Sequence, residues 1–120
     1  EELGDEVEDA EPLHMTVLAA DYGAAVGRAV ASGRANLGLL VCGSGIGIGI
    51  AANKISGVRA ATVHDVTSAH LAREHNDANI ICLGERLIGE EIAKEALSAF
   101  LASVFEGGRH ADRVAKINAL

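Results

Sequence analysis

Aromatic residues are nearly absent from this sequence and make up 2% of its 120 residues. Tyr22, Phe100 and Phe105 are the aromatic residues present. The core must therefore be built from Ala, Val, Ile and Leu side chains, which bury less apolar area each than aromatic rings do. A small domain with such a core gains from burying further surface, so we expect this domain to associate into an oligomer.

Positive charge is also scarce, because 10 Lys and Arg residues stand against 17 Asp and Glu residues, a formal net charge of −7. Nucleic acids and anionic membranes bind clustered positive charge, so we predict that the protein binds neither. No apolar run reaches the roughly 20 residues that span a bilayer. No basic segment followed by an apolar one opens the chain, so we expect no secretory signal.

Cysteine and proline are rare too. Cys42 and Cys82 lack the C-x-x-C spacing of a redox motif or a zinc knuckle, and two cysteines do not make a disulfide framework, so a reducing cytoplasm fits best. Each is also explained as a small buried hydrophobe. No two histidines are spaced as metal ligands on one helix, and we predict no metal site. The single proline, Pro12, ends an acidic amino-terminal stretch, residues 1–12.

Short apolar runs predict three strands, at residues 37–42, 59–63 and 79–83. Between and after them, helical periodicity and capping residues predict helices at 16–32, 50–55, 66–75, from Glu90 to the Gly107-Gly108 pair, and at 111–120. Strands that alternate with helices in this way indicate right-handed crossovers and a parallel sheet. No linker divides the chain, so residues 1–120 are predicted to form a single α/β domain.

Cys42 ends the first predicted strand and precedes a glycine-rich segment, Gly43 to Gly49. Ligands bind outside the carboxyl ends of parallel strands. Glycines let the backbone approach a ligand, and amides at a helix N-terminus attract negative charge and favour a thiolate. Two interpretations stay open: a small-anion site with a reactive thiol, or a tight strand-to-helix turn with a buried cysteine. The glycine spacing fits neither a dinucleotide-binding loop nor a P-loop.

Arg109 and Arg113 are four residues apart, so they share a helix face, and His110 lies beside Arg109. In an acidic protein this cluster indicates a phosphate site, although a solvated basic tail explains it equally well. His75 lies near the end of a predicted helix, where a histidine usually serves the helix dipole.

Several segments together carry a resemblance to a known family. The segments are Val41 to Gly47, Ala51 to Lys54, His64-Asp65, Ser68-Ala69, Arg73 to Asn79, Gly84 with Arg86, Ile88 and Gly89, and Phe105 to His110 with Arg113-Val114. In this order and spacing, the chain resembles the B-type ribose-5-phosphate isomerases, which are related to the galactose-6-phosphate isomerase subunits. The resemblance covers about residues 21–117 and implies a Rossmann-like, three-layer αβα fold with a parallel sheet.

The resemblance also implies a function. It implies an aldose–ketose isomerase that needs no metal or other cofactor, most simply one that converts ribose 5-phosphate to ribulose 5-phosphate through an enediolate. It implies that Cys42 is the base, that Ser44 and the amides of Gly43, Gly45 and Gly47 hold the enediolate oxygens, and that His75 assists ring opening. Further implied contacts are those of Asn76, Tyr22, His64 and Asp65 with the substrate, and those of Arg109, His110, Arg113 and Arg86 with its phosphate. The active site would be shared between two subunits of a homodimer or tetramer.

The sequence departs from this family at its amino-terminal end. Family members open with a strand that ends in Asp-His and is followed by a helix, and we find neither here. Gly4 to Asp9 resembles the family's second strand, and Leu18-Ala19-Ala20 replaces an Asp-Tyr-Pro segment that lines the site. We therefore expect a domain without its first strand–helix unit. The alternative function is a catalytically silent, sugar-phosphate-binding subunit of a hetero-oligomer, and a nucleotide-binding domain is disfavoured by the glycine spacing.

Overall fold

The computed structural model describes residues 19–120, in which helices and strands alternate. The elements are α1 (Ala19–Ala31), β1 (Gly38–Cys42), α2 (Ile46–Asn53), β2 (Ala60–Thr62), α3 (Val66–Asn76), β3 (Ile80–Gly84), α4 (Glu90–Ala102) and α5 (Arg109–Asn118). The acidic stretch 1–12, the predicted strand at Gly4–Asp9 and the predicted helix start at residue 16 lie outside the described residues. Between residues 19 and 120, no helix combines the length and the apolar character needed to cross a bilayer.

The described strands form a parallel sheet in the order β1-β3-β2. Cys42 is in register with Gly84, and Thr62 with Cys82, so the three strands end at one edge of the sheet. That edge is called the carboxyl edge below, and the opposite one is the amino edge. Helices α1 and α2 cover one face of the sheet and α3 and α4 the other. The three-layer αβα architecture predicted from the sequence is confirmed.

Small aliphatic side chains build the core on both faces of the sheet, as the shortage of aromatic residues requires. Every residue of β3 is buried, because this strand lies between its two neighbours and under both helix layers. One cluster joins β3 to α1 and α2 and contains Val26, Val30, Leu40, Ile48, Ala52, Val58, Ile80 and Cys82. The other joins it to α3 and α4 and contains Val63, Ala69, Ala72, Ala78, Ile81, Leu83, Ala96, Ala99 and Phe100.

The predicted boundaries of three helices are wrong. Helix α4 ends at Ala102, several residues before the predicted stop at the Gly107-Gly108 pair. Helix α2 begins at Ile46 and ends at Asn53, whereas the sequence pattern placed it at residues 50–55. Gly45 adopts the left-handed conformation immediately before α2 (φ 78°), and the helix begins at the next residue. The later part of the glycine segment, with Gly47 and Gly49, therefore lies in α2. The Asn53 side chain ends α2 by bonding both the N–H and the carbonyl of Ala60. Helix α5 begins at Arg109, two residues before its predicted start, because Gly108 (φ 55°) precedes it.

Helix α3 connects the two edges of the sheet. It begins at the carboxyl edge, where the Asp65 carboxylate accepts a hydrogen bond from the Ser68 N–H (2.7 Å). It ends at Asp77, which adopts a left-handed conformation and is held by Arg59 (3.3 Å) and Arg73 (3.0 Å). Eleven helical residues span about 16 Å, so His75 and Asn76 lie at the amino edge.

Helix α5 lies at the amino edge as well. The segment before it is fixed by the Glu106 N–H, which donates to the Glu74 carbonyl (3.0 Å) at the end of α3. The end of α5 is fixed by Asn118, whose side-chain oxygen accepts from Arg59 (3.0 Å), just before β2 begins. The phosphate-binding residues predicted on α5 therefore lie at the opposite edge from Cys42.

Candidate active site

A half-buried thiol lies where β1 meets the glycine segment. Cys42 is the last residue of β1, and the Gly45 N–H donates a hydrogen bond to its Sγ (3.1 Å). Sulfur that accepts from a backbone amide at the start of a helix lies in a field that favours negative charge. The full burial of Cys42 that one sequence interpretation allowed is not observed, because the residue is half-buried.

Backbone contacts with β3 fix the position of the glycine loop. A Cβ on Gly45 would lie 2.9 Å from the carbonyl carbon of Leu83, and one on Gly84 would lie 2.5 Å from the carbonyl oxygen of Ser44. Side chains at these two positions would push the loop off the strand. The carbonyls of Cys42 and Gly43 also accept from the N–H groups of residues 85 and 86 (2.8 and 3.0 Å). The loop is thus held against the strand on which it rests.

The remaining loop residues differ in what they contact. The Ser44 hydroxyl accepts from the Ile46 N–H (3.2 Å) at the helix start. Gly47 borders open space, since a Cβ placed there meets nothing within 4 Å. Gly43 lies next to the exposed Arg86 side chain, with about 3.6 Å between the Arg86 Cδ and a Cβ built on Gly43. Val26 and Val30 of α1 lie against Gly38 at the amino end of β1, so Tyr22, earlier in α1, lies nearer the carboxyl edge.

The two cysteines have different environments. Cys82 is fully buried in β3, and burial, with a smaller contribution from the charge of Cys42, raises the pKa of its thiol to about 12. Cys82 therefore stays protonated and is the small buried hydrophobe that the sequence allowed for either cysteine. Only Cys42 remains as a candidate nucleophile or base among these two thiols.

Sequence reasoning missed Thr62, whose hydroxyl donates to the Gly45 carbonyl (3.0 Å) and holds the loop from β2. A threonine at the end of a half-buried strand gives no signal of its own, because it is also a good strand former.

His64 and Asp65 follow β2 at the carboxyl edge. β3 separates β2 from β1, so they lie about 10 Å across the sheet from Cys42. The Asp65 carboxylate caps α3, and its pKa is lowered by the hydrogen bonds from the Ser68 backbone and hydroxyl. His64 is exposed.

A second group of predicted residues lies at the amino edge. The imidazole rings of His75 and His110 stack with their centroids 4.1 Å apart. His110 is buried, whereas Asn76, Arg109 and Arg113 are exposed around it. Desolvation, and then the neighbouring His75 and Arg109, lower the pKa of His110.

Glu106, which the sequence did not single out, lies beside both rings. One of its carboxylate oxygens is 3.9 Å from His75 Nε2 and 3.8 Å from His110 Nε2. Along the chain, Glu106 is 31 positions from His75 and 4 positions from His110, so only the tertiary fold shows that the three side chains form a group.

Apart from His64 and Asp65, the predicted site residues fall into two groups. The thiol cluster comprises Cys42, Gly43, Ser44, Gly45, Gly47, Arg86 and the neighbouring Tyr22 at the carboxyl edge. The histidine cluster comprises His75, Asn76, Arg109, His110 and Arg113 at the amino edge. Within one chain, the two clusters lie at opposite edges of the sheet, which α3 connects over about 16 Å.

A parallel αβα domain with a thiol on a glycine loop and a separate cluster of imidazoles and guanidiniums has the parts of an enzyme that acts on an anionic substrate. A family model described as Ribose/Galactose Isomerase matches residues 1–117. The chain belongs to this family.

Three similar proteins illustrate the relationship. Ribose-5-phosphate isomerase B of Escherichia coli is 46% identical over 99 residues, which cover 82% of this chain and 66% of that protein. The D-erythrulose-4-phosphate isomerase of Pectobacterium atrosepticum is 44% identical over 107 residues, covering 89% of this chain and 70% of the relative. The type B ribose 5-phosphate isomerase of Trypanosoma brucei superposes with a TM-score of 0.84 at 50% identity, covering 86% of this chain and 70% of that one. The chain therefore spans about two thirds of the length of such relatives.

Proposed function

We propose that this protein is an aldose–ketose isomerase of a sugar phosphate, with ribose 5-phosphate and ribulose 5-phosphate as its substrate pair. The observation that carries the proposal is the Gly45 N–H bonded to Cys42 Sγ at the carboxyl end of β1. Membership of the Ribose/Galactose Isomerase family and the names of the similar proteins support the reaction class.

In the proposed reaction, the Cys42 thiolate removes the proton from C2 of the open-chain aldose and returns it to C1. The electrons of the C2–H bond move into the C1–C2 bond, and the carbonyl oxygen at C1 takes the developing negative charge of the enediolate. The proton of the C2 hydroxyl then passes to the C1 oxygen, so that C2 becomes the carbonyl carbon when C1 is protonated. Backbone amides of the glycine loop and the Ser44 hydroxyl stabilise that charge. Gly47 borders open space, so a substrate oxygen has room beside its amide.

The histidine cluster performs the remaining tasks in this proposal. His75 moves a proton during ring opening, and Asn76 binds the sugar hydroxyls. Arg109, His110 and Arg113 bind the phosphate, whose binding energy positions the reacting carbons. Arg86, beside Gly43, adds a positive charge at the thiol end.

Because the two clusters lie at opposite edges of one chain, we assign each active site to two copies of the protein. The thiol cluster of one subunit meets the histidine cluster of a second subunit, in a homodimer or a tetramer of such pairs. A twofold pair of this kind contains two equivalent sites.

Mixed oligomers test this arrangement directly. Cys42→Ala is expected to lower kcat by about 10²- to 10⁴-fold, with little change in KM, because it removes the base without removing a binding group. His75→Ala is expected to be similarly inactive. When the two variants are unfolded, mixed in equal amounts and refolded, half of the dimers are mixed, and each mixed dimer holds one intact site. The mixture should therefore regain about a quarter of the wild-type activity.

A matched control mixes Cys42→Ala with the double variant Cys42→Ala/His75→Ala, which cannot form an intact site and should stay inactive. If the first mixture also stays inactive while its dimers exchange, each site lies within one chain and the shared-site proposal is wrong. Full turnover by Cys42→Ala would overturn the assignment of the base.

The second candidate function is a silent sugar-phosphate-binding subunit of a hetero-oligomer. The purified homomer, assayed with ribose 5-phosphate and with erythrulose 4-phosphate, distinguishes the two functions and the two substrates. Activity that survives dialysis against EDTA would support the metal-independent mechanism.

A further inference from the structure

His75, Glu106 and His110 place three ligand atoms of the kinds that zinc prefers within 4.8 Å of one another. They come from the end of α3, from the loop before α5 and from its first turn. We propose that this trio is an inhibitory binding site for a divalent transition-metal ion of the zinc type. The inhibition rests on the proposed function, whereas the metal binding does not.

The distances between the ligand atoms fit a zinc ion closely. The Glu106 oxygen lies 3.9 Å from His75 Nε2 and 3.8 Å from His110 Nε2. With the third side of the triangle no longer than 4.8 Å, a point equidistant from the three atoms lies at most about 2.5 Å from each, against about 2.0–2.1 Å for a zinc–nitrogen bond. A few tenths of an ångström of movement closes the difference.

The rings must also turn for the metal to bind. They stack at 4.1 Å with an angle of 13° between their planes, so their in-plane lone pairs run nearly parallel and must be tilted toward a shared ion. His110 is buried, but Glu106 is 54% exposed and His75 35% exposed, so these two side chains have the freedom to adjust. Three protein ligands leave a fourth position for water or another donor.

Binding at this site removes the nitrogen lone pairs of both histidines from other chemistry. His75 can then no longer accept a proton at Nε2, and His110 can no longer donate to a phosphate from Nε2. Because Glu106 belongs to the metal site and not to the proposed catalytic groups, Glu106→Gln separates the two activities. Glu74→Gln is the matched control. Glu74 lies next to His75 at the end of α3, but its carboxylate pairs with His70 (3.6 Å) and is not one of the three ligands.

Calorimetry with zinc chloride tests the binding, on protein without a histidine tag. The Cys42→Ser variant is used as the parent, because a partly exposed thiol binds zinc by itself. We expect one zinc per chain, an affinity lowered by about tenfold or more in the Glu106→Gln derivative, and no change in the Glu74→Gln derivative. Cobalt in place of zinc should give the visible absorption of four-coordinate Co²⁺. Binding that is absent from the parent, or unchanged by Glu106→Gln, would overturn the site.

Enzyme assays on the chain with Cys42 intact test the inhibition. Zinc should inhibit the wild-type protein and EDTA should reverse it, whereas Glu106→Gln should keep its activity in the presence of zinc. Inhibition that persists in Glu106→Gln would place the inhibitory metal on the thiol and overturn this part of the proposal. If the wild-type protein shows no isomerase activity at all, the proposed function fails, and the calorimetry still decides the metal site.

Discussion

Replacing Gly84 by alanine tests whether the glycine loop depends on its backbone contact with β3. A Cβ at this position would lie 2.5 Å from the Ser44 carbonyl oxygen and 2.6 Å from the carbonyl carbon. Both atoms belong to backbone, so the clash cannot be relieved by turning a side chain. The loop must move by about 0.9 Å to bring the Ser44 carbonyl oxygen from 2.5 Å to ordinary contact with the Cβ at 3.4 Å. The Gly45 amide, one residue further along, moves with it.

Two effects of different size should follow. The strain of overpacking is expected to lower the free energy of unfolding by about 1–3 kcal/mol, measured by urea denaturation. A displacement approaching 1 Å between the thiol and the amides is expected to lower kcat for ribose 5-phosphate by up to about a hundredfold. The loss of activity should therefore remain under conditions in which the variant is fully folded.

Gly89→Ala is the control for this experiment. Gly89 precedes α4 with φ −79°, and a Cβ there meets nothing within 4 Å. We expect the control to keep its activity and to lose less than about 1 kcal/mol of stability. If Gly84→Ala matches Gly89→Ala in both stability and kcat, the loop is not held by backbone contact and our reasoning about the thiol is refuted.

Three further predictions concern stability. The hydrogen bonds from Ser68 lower the pKa of Asp65. The contribution of Asp65 to the free energy of unfolding is therefore complete above about pH 4 and is lost as the pH falls through the lowered pKa. Melting temperatures measured between pH 3 and 7 should depend less on acid in Asp65→Ala than in the wild type. Because the pKa of His110 is lowered in the folded protein, the unfolded chain takes up a proton at this residue at a higher pH than the folded chain does. The stability of the fold should therefore fall as the pH drops below about 6.5, and His110→Phe should reduce the dependence of the melting temperature on pH. Phe100 is fully buried, so Phe100→Ala should cost about 3–5 kcal/mol in urea denaturation, and a loss under 1 kcal/mol would contradict the core described here.

The order of strands and helices could be predicted from the sequence because each strand is a short apolar run between turn residues. Leu37 to Cys42 shows this most clearly, with β1 observed at Gly38–Cys42. Local patterns failed where glycine has two roles. Gly45 stops the chain from continuing as a strand, but Gly47 and Gly49 lie inside α2, where propensity argues against a helix and packing overrides it. Gly49 is needed there, because a Cβ would lie 3.2 Å from the Cys82 sulfur.

The candidate site could be predicted only in part. The position of Cys42 followed from the rule that ligands bind at the carboxyl ends of parallel strands. The grouping of His75 with His110 and Glu106 could not be foreseen, because it depends on how far α3 runs and on how the chain returns after α4. A helix-spacing search for metal ligands misses such a trio, since its two histidines are on different helices.

The contact between α1 and α2 has a mechanical consequence. A Cβ on Gly23 would lie 2.5 Å from the Ile48 carbonyl oxygen, so the two helices touch through their backbones. A side chain at Gly23 would push the two helices apart, so their spacing depends on the absence of a side chain at this one position.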